Sequence, residues 1–311
     1  GTTVTISSIS TLAAGTKIIV RVTSAATTNY NSAYKDYTLT ITAIGGADFD
    51  ITLDNDSFEY DGTAKEPKAT VKVDGKTLVE GTDYDVSYED NEKAGTGTVT
   101  ITGKGNYEGS IGEKTFEITK RKITVKANDA SKAYDTLPLT NNTYTITSGT
   151  LAQGHTIHPT ISGTITDVGS VPNVITEAIV KNAAGTDVTE NYDITKVAGT
   201  LKVTPATITG SVKITGQTIY GETLTAEVTV VPSDCTLTYQ WYMQRGQQRQ
   251  TITGATNNTL ELGSDQIGKV ISVQVTAQKT NYNSRSFTDM TDASTNGSAT
   301  VLQKDLSSPD I

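Results

Sequence analysis

Residues 280–284 read Thr280-Asn281-Tyr282-Asn283-Ser284, and the same five letters stand at Thr28-Asn29-Tyr30-Asn31-Ser32. Between them the Asn-Tyr pair recurs at Asn106-Tyr107 and Asn191-Tyr192, which places successive tyrosines 77, 85 and 90 positions apart. Self-similarity at such a period marks a chain assembled from repeated units. Each pair is followed by a strand-like run, such as Tyr37-Thr38-Leu39-Thr40-Ile41 or Gly199-Thr200-Leu201-Lys202-Val203. A second marker opens each complete unit: Phe58-Glu59-Tyr60-Asp61-Gly62, Lys132-Ala133-Tyr134-Asp135 and Thr218-Ile219-Tyr220-Gly221-Glu222. Three units follow, at 45–119, 120–205 and 206–303, with a tail at 304–311. Each is the size of a small β-sandwich.

Residues 1–44 carry the closing marker without the opening one. Thr3-Val4-Thr5-Ile6 matches Thr259-Leu260-Glu261-Leu262, and Ile19-Val20-Arg21-Val22-Thr23 matches Ser272-Val273-Gln274-Val275-Thr276. The segment therefore reads as the C-terminal half of a truncated unit, its last three strands. Half a sandwich exposes an apolar sheet face and open edges. It is expected to pack on its neighbour, to exchange with another molecule as a dimer, or to be marginal.

Composition agrees with strands. Of 311 residues, 58 are threonine and 27 glycine, while only 35% are hydrophobic and 19% charged. β-Branched threonine fits a pleated, half-buried surface, and the helix formers are scarce. Alternation is clear at Thr98-Val99-Thr100-Ile101-Thr102 and Lys269-Val270-Ile271-Ser272-Val273-Gln274-Val275. Asp74-Gly75 between two such runs predicts a tight hairpin. These readings exclude a helical bundle and disfavour a doubly wound enzyme. Connections between units are short and carry no Gly/Ser tether, so an elongated all-β array is expected.

The net charge is −9, yet residues 45–119 hold 17 of the 34 acidic and 7 of the 25 basic residues. There is no basic stripe of the kind that displaces counterions from nucleic acid. No apolar run is long enough to cross a membrane as a helix. The single Cys235 leaves no intrachain disulfide and no cysteine-rich zinc site.

The chain resembles tandem bacterial immunoglobulin-like repeats of the MBG/YDG type. In 45–119 the resemblance rests on Glu59-Tyr60-Asp61-Gly62-Thr63-Ala64-Lys65, on the run from Glu80 to Tyr88, and on Gly103-Lys104-Gly105-Asn106-Tyr107. In 120–205 it rests on Lys132-Ala133-Tyr134-Asp135, Asn191-Tyr192-Asp193-Ile194 and Leu201-Lys202-Val203-Thr204-Pro205-Ala206. The third unit is similar to a neighbouring bacterial Ig-like family through Gly221-Glu222-Thr223-Leu224 and Tyr239-Gln240-Trp241-Tyr242, with Gly221 where the others have Asp. The resemblance implies tandem Ig-like β-sandwiches on the bacterial surface or secreted. It implies a stalk or adhesion module without catalysis, and it brings no set of functional residues.

Candidate sites are few. Trp241 could stack on a sugar. It shares a strand face with Leu237, Tyr239 and Met243, however, which is the pattern of a core tryptophan. Tyr242 falls on the opposite face and is the second weak ligand candidate. Asp83, Asp85, Glu89, Asp90 and Glu92 supply oxygen for Ca²⁺ but lack the spacing of a twelve-residue loop; a solvated acidic face is the plainer reading. Asp54-Asn55-Asp56 lacks the glycine two positions on, where Phe58 stands. His155 and His158 form an H-x-x-H; on a strand their side chains diverge and no further zinc ligands are near, so a loop or surface pair is the better reading. Lys126 or Lys202 could join an isopeptide crosslink, though no motif specifies one. The marker tyrosines read as structural, each burying a ring and reaching backbone through its hydroxyl.

The sequence thus points to a non-catalytic extracellular stalk or spacer segment without a cofactor. The alternative is an adhesin whose 206–303 unit contacts a glycan or a host protein, through Trp241, Tyr242 and the Gln247–Gln250 segment.

Overall fold

The computed structural model describes residues 12–305. Among them the chain is all-β: 25 strands, three single-turn 3-10 segments and one four-residue helix. The fold is that of Ig-like β-sandwich sheets. Among the described residues two compact units are present, one of residues 12–126, 144–160 and 175–197, the other of residues 127–143, 161–174 and 198–305.

In the first unit, β1 (Lys17–Ser24) and β2 (Ala33–Thr40) form an antiparallel hairpin with Val20 opposite Tyr37 and Ile18 opposite Leu39. Residues 50–119 then supply β3 (Asp50–Leu53), β4 (Ser57–Glu59), β5 (Ala69–Val73), β6 (Lys76–Thr77), β7 (Tyr84–Glu89), β8 (Gly95–Gly103) and β9 (Ile111–Thr119). They make two sheets, ordered β3-β5-β6 and β4-β9-β8-β7. The alternation in β8 sends Val99 and Ile101 inward, fully buried, against Val71, Phe116 and Ile118, which are also buried. Gly97 lies directly opposite Phe116, whose ring occupies the place a Cβ would take. The predicted tight turn is present at Asp74-Gly75, with φ of 49° and 79°. Its second strand is the pair Lys76–Thr77, and just beyond it Asp83 Oδ2 accepts the Val79 N–H at 2.9 Å.

The middle repeat contributes β10 (Arg121–Ala127), β11 (Ala130–Ala133), β12 (Tyr144–Ser148), β13 (Thr156–Ser162), β14 (Gly169–Lys181), β15 (Tyr192–Val197) and β16 (Gly199–Thr204). Its sheets are ordered β12-β10-β15 and β11-β16-β14-β13. The first of these sheets belongs to the first unit, where β10 and β15 run parallel. In the second unit β11 pairs parallel with β16, which pairs antiparallel with the start of β14.

The second unit continues with β17 (Ala206–Thr207), β18 (Thr209–Thr215), β19 (Thr223–Val231), β20 (Thr236–Arg245), β21 (Gln248–Thr251), β22 (Thr259–Glu261), β23 (Val270–Gln278), β24 (Tyr282–Asn283) and β25 (Arg285–Met290), then α1 (Ala293–Asn296). The sheets β18-β19-β22 and β21-β20-β23-β25 enclose a core of Ile214, Leu224, Trp241, Leu262, Ile271, Val273 and Val275. Each large apolar side chain so buried contributes about 1.5–3 kcal/mol.

The matching strand proposed for residues 3–6, and the tail beyond 305, lie outside the described residues. Where described, the 1–44 segment is the hairpin alone. Its base is tied to the following repeat: Ala14 N–H donates to Asn106 Oδ1 at 2.6 Å, Ile44 N–H to the Asn106 carbonyl at 2.5 Å, and Ser110 Oγ to the Ile44 carbonyl at 3.1 Å. Ile19, Val22, Tyr34, Tyr37 and Leu39 remain exposed, Ile19 at 66%. Contact with the neighbour is thus made by the ends of the hairpin and not by its apolar face.

Candidate functional site: the joints between repeats

Both repeated markers make contacts far along the chain. The opening tyrosine closes its own sandwich in the same way three times. Tyr60 N–H donates to the Thr119 carbonyl, Tyr134 to Thr204 and Tyr220 to Leu302, each at 2.9 Å. These bonds extend the parallel pairings β4 with β9 and β11 with β16, and the parallel bridge between Ile219 and Leu302. The residue after the tyrosine sets the turn. Asp61 Oδ1 accepts from Thr63 N–H at 2.9 Å, and Asp135 Oδ1 from Leu137 N–H at 3.0 Å, the Asx arrangement. Gly221 reaches the turn instead through a left-handed φ of 85°. Burial alone would raise the Asp61 pKa, but hydrogen bonds from Lys65 and Thr63 outweigh it and hold the carboxyl at about 2.

The closing marker is the half that crosses the joint. Asn106 Oδ1 accepts the Ala14 N–H at 2.6 Å, Asn191 Oδ1 the Ala94 N–H at 2.8 Å, and Asn281 Oδ1 the Val168 N–H at 3.0 Å. In every case the asparagine satisfies a backbone donor far earlier in the chain, 92, 97 and 113 positions away. Asn106 and Asn191 are presented by 3-10 turns, and Asn281 by a left-handed backbone. Asn281 Nδ2 adds a bond to Asp167 Oδ1 at 2.8 Å.

Beside these bonds the markers' rings meet. Tyr60 and Tyr192 lie edge to face with centroids 5.7 Å apart and planes at 77°. Tyr134 and Tyr282 repeat the arrangement at 5.6 Å and 79°. Such pairs contribute about 0.5–1.5 kcal/mol beyond their buried area. Tyr60 and Tyr192 are both buried, which pushes each hydroxyl pKa up. The Tyr192 hydroxyl accepts from Ala152 N–H at 3.0 Å and lies 2.8 Å from His155 Nδ1. Arg121 fastens the same joint, with Nη1 on Glu59 Oε1 at 2.8 Å and Nε on the Thr150 carbonyl at 2.6 Å.

The loop placement expected of one member of the H-x-x-H holds for His155, which nevertheless is not at the surface. It sits in the turn before β13, half-buried, its ring 6.0 Å from both Tyr60 and Tyr192. Burial first, and then the Arg121 charge, lower its pKa below the ordinary 6.5. His158 is exposed on β13 with Nε2 3.0 Å from Thr156 Oγ1, so the two imidazoles share no ligand position.

The remaining candidates are dispersed. Trp241 is fully buried and its Nε1 donates to the Asn257 carbonyl at 2.9 Å, leaving no face for stacking. Tyr242 faces outward beneath the Arg249 guanidinium, 3.5 Å from the ring centroid. Asp83 is engaged by Val79 and Asp85 by Lys104 at 3.1 Å, while Asp90 occupies a left-handed turn. Among the described residues, no three His, Cys, Asp or Glu side chains are grouped to hold a metal ion. No described helix is long and apolar enough to cross a membrane. Cys235 is half-buried with Sγ near the Pro232 carbonyl, and Lys202 is exposed on β16. The tyrosine markers were legible in the sequence. The asparagines' targets were not, since Ala94 and Val168 offer only backbone, and Arg121 and His155 carried no repeat signal.

No family model matches the chain, and no curated protein matches it. Solved structures do. A "Ca2+-stabilized adhesin" that "helps an Antarctic bacterium reach out and bind ice" is 15% identical, over 93% of this chain and 82% of that one, with a TM-score of 0.30. Titin domains A168–A170 are 11% identical over 84% and 100%, with a TM-score of 0.21. The protocadherin fragment PcdhgB3 EC1-4 is 8% identical over 94% and 84%, with a TM-score of 0.25.

Proposed function

We propose that this chain is a non-catalytic spacer segment of a bacterial cell-surface or secreted protein, built of MBG/YDG-type Ig-like repeats at 45–119, 120–205 and 206–303. The observation that supports it is the joint: three asparagines, each in an Asn-Tyr pair, each accepting a backbone N–H from the preceding repeat. A single hydrogen bond at a joint is incidental. The same one at every joint, with an edge-to-face tyrosine pair at two of them, is a coupling. Coupled repeats resist bending and transmit tension, which is what a spacer that carries a distal partner away from a cell requires.

Small-angle scattering on the intact chain tests this. The spacer role expects an extended, stiff particle whose scattering becomes that of a bending chain in an Asn191→Ala, Asn281→Ala double variant. A compact profile, or no change in stiffness in the variant, overturns it. Concentration-dependent sedimentation decides between a monomer and a dimer exchanged through the exposed β1–β2 hairpin.

A further inference from the structure

We propose that the outward face of the β21-β20-β23-β25 sheet carries a binding site for a carboxylate-bearing saccharide. The site lies in the third repeat, away from the joints. It is independent of the spacer role and neither needs it nor is needed by it.

Strand alternation creates the site. Trp241, Met243, Ile271 and Val273 point into the core or pack against it, so Tyr242, Gln244 and Ser272 face outward. Register sets Ser272 opposite both Tyr242 and Met290, and Gln244 opposite Arg249. Between them is a cleft of about 330 Å³ lined by Gln244, Arg249, Ser272, Thr288, Asp289 and Met290. That is at the small end of ligand clefts, which run from roughly 300 Å³ upward.

Three features give the cleft its chemistry. Ser272 is only 5% exposed, yet its Oγ has no hydrogen-bond partner. A buried hydroxyl left unpaired is costly, and a shift of the side chains over it that admits a ligand oxygen recovers that cost. Arg249 is stacked on the Tyr242 ring and has no carboxylate partner among the described residues. Stacking holds the guanidinium plane while leaving its forked edge of donors open, the geometry that matches a carboxylate through two parallel bonds. The third is the mixture around them. Gln244 both donates and accepts, Thr288 adds a hydroxyl, and the exposed Met290 side chain offers an apolar surface to the C–H face of a ring. The Asp289 carboxylate does not compete for the guanidinium, because its Oδ2 accepts the Ile214 N–H at 2.7 Å. A hydroxyl-rich ring bearing one carboxylate satisfies the whole set. A neutral sugar leaves the arginine unmatched.

The test is titration of the intact chain with trigalacturonate and with its neutral counterpart, trigalactose, followed by calorimetry and by backbone amide NMR. The expected result is saturable binding of trigalacturonate with shifts centred on Tyr242, Arg249, Ser272 and Thr288. The neutral trisaccharide should bind at least about tenfold more weakly, the discrimination a bidentate charged pair supplies. Arg249→Gln should lose about tenfold or more, and Arg249→Lys should fall between. Ser272→Ala should weaken the saccharide while leaving the free chain as stable or more so, which a merely structural serine would not do. An unchanged Trp241 emission maximum certifies that each variant is folded. Absence of saturable uronate binding, equal affinity for both sugars, or binding indifferent to Arg249→Gln overturns the site, whatever the scattering experiment shows.

Discussion

Tyr60 of an opening marker and Tyr192 of a closing marker meet edge to face, with ring centroids 5.7 Å apart. Tyr192 also serves its own repeat, its hydroxyl accepting from Ala152 N–H. Tyr60 closes its own sandwich through its backbone N–H, which frees its ring for the neighbour. Because Tyr134 and Tyr282 do the same, the markers are best understood as the two halves of one joint.

Replacing Tyr60 and Tyr192 singly and together by leucine should therefore reveal coupling. The double-variant cycle is expected to return about 0.5–1.5 kcal/mol, the range for an edge-to-face pair. Urea unfolding of the four chains measures it. Strict additivity would mean that the rings are neighbours without interaction.

The asparagine is expected to matter as much as the ring. Asn191 is buried, and Asn191→Ala leaves the Ala94 N–H without its acceptor, at a cost of about 1–3 kcal/mol. Asn191→Asp keeps an acceptor and should recover part of the loss. Hydrogen exchange at the Ala94 amide reads the bond directly, with protection lost in the alanine variant.

Glycine 62 is required at the same joint for two separable reasons. Its φ of 83° is left-handed, and a Cβ there would stand 3.0 Å from His155 Nε2. Gly221, at φ 85°, has open space around it. Gly221→Ala should thus cost only the backbone strain, about 1 kcal/mol, and Gly62→Ala noticeably more. Equal losses in thermal unfolding would show that His155 yields freely.

How much of this was legible in the sequence follows from what each contact uses. Alternation in β8 and β23 and the Asp74-Gly75 turn were readable, because strand period and turn chemistry are local. The core position of Trp241 follows from the same alternation. The markers were visible because side chains repeat. Their targets were hidden because Ala94 and Val168 take part through backbone N–H groups, which every residue but proline possesses. Ser272 was hidden for another reason. A serine on an outward strand face is ordinary until the structure shows it buried without a partner.

The last prediction concerns pH and works through His155. Its folded-state pKa is lowered, by burial first and then by Arg121, while the unfolded value is about 6.5. Above pH 6.5 both states are neutral at this site and the joint has its full stability. As pH falls below 6.5 the unfolded chain takes up the proton first, so stability declines until the pH has passed the folded-state value and then levels. Asp61 acts in a separate, more acidic window: its carboxyl near pH 2 gives stability present above about 3.9 and lost as pH falls through 2. Urea midpoints of the intact chain should thus drop between pH 7 and pH 5, and His155→Gln should remove that drop without altering the steeper one below pH 4. A wild-type midpoint flat from pH 7 to 5 would show that the imidazole between Tyr60 and Tyr192 is charged as easily in the fold as in water.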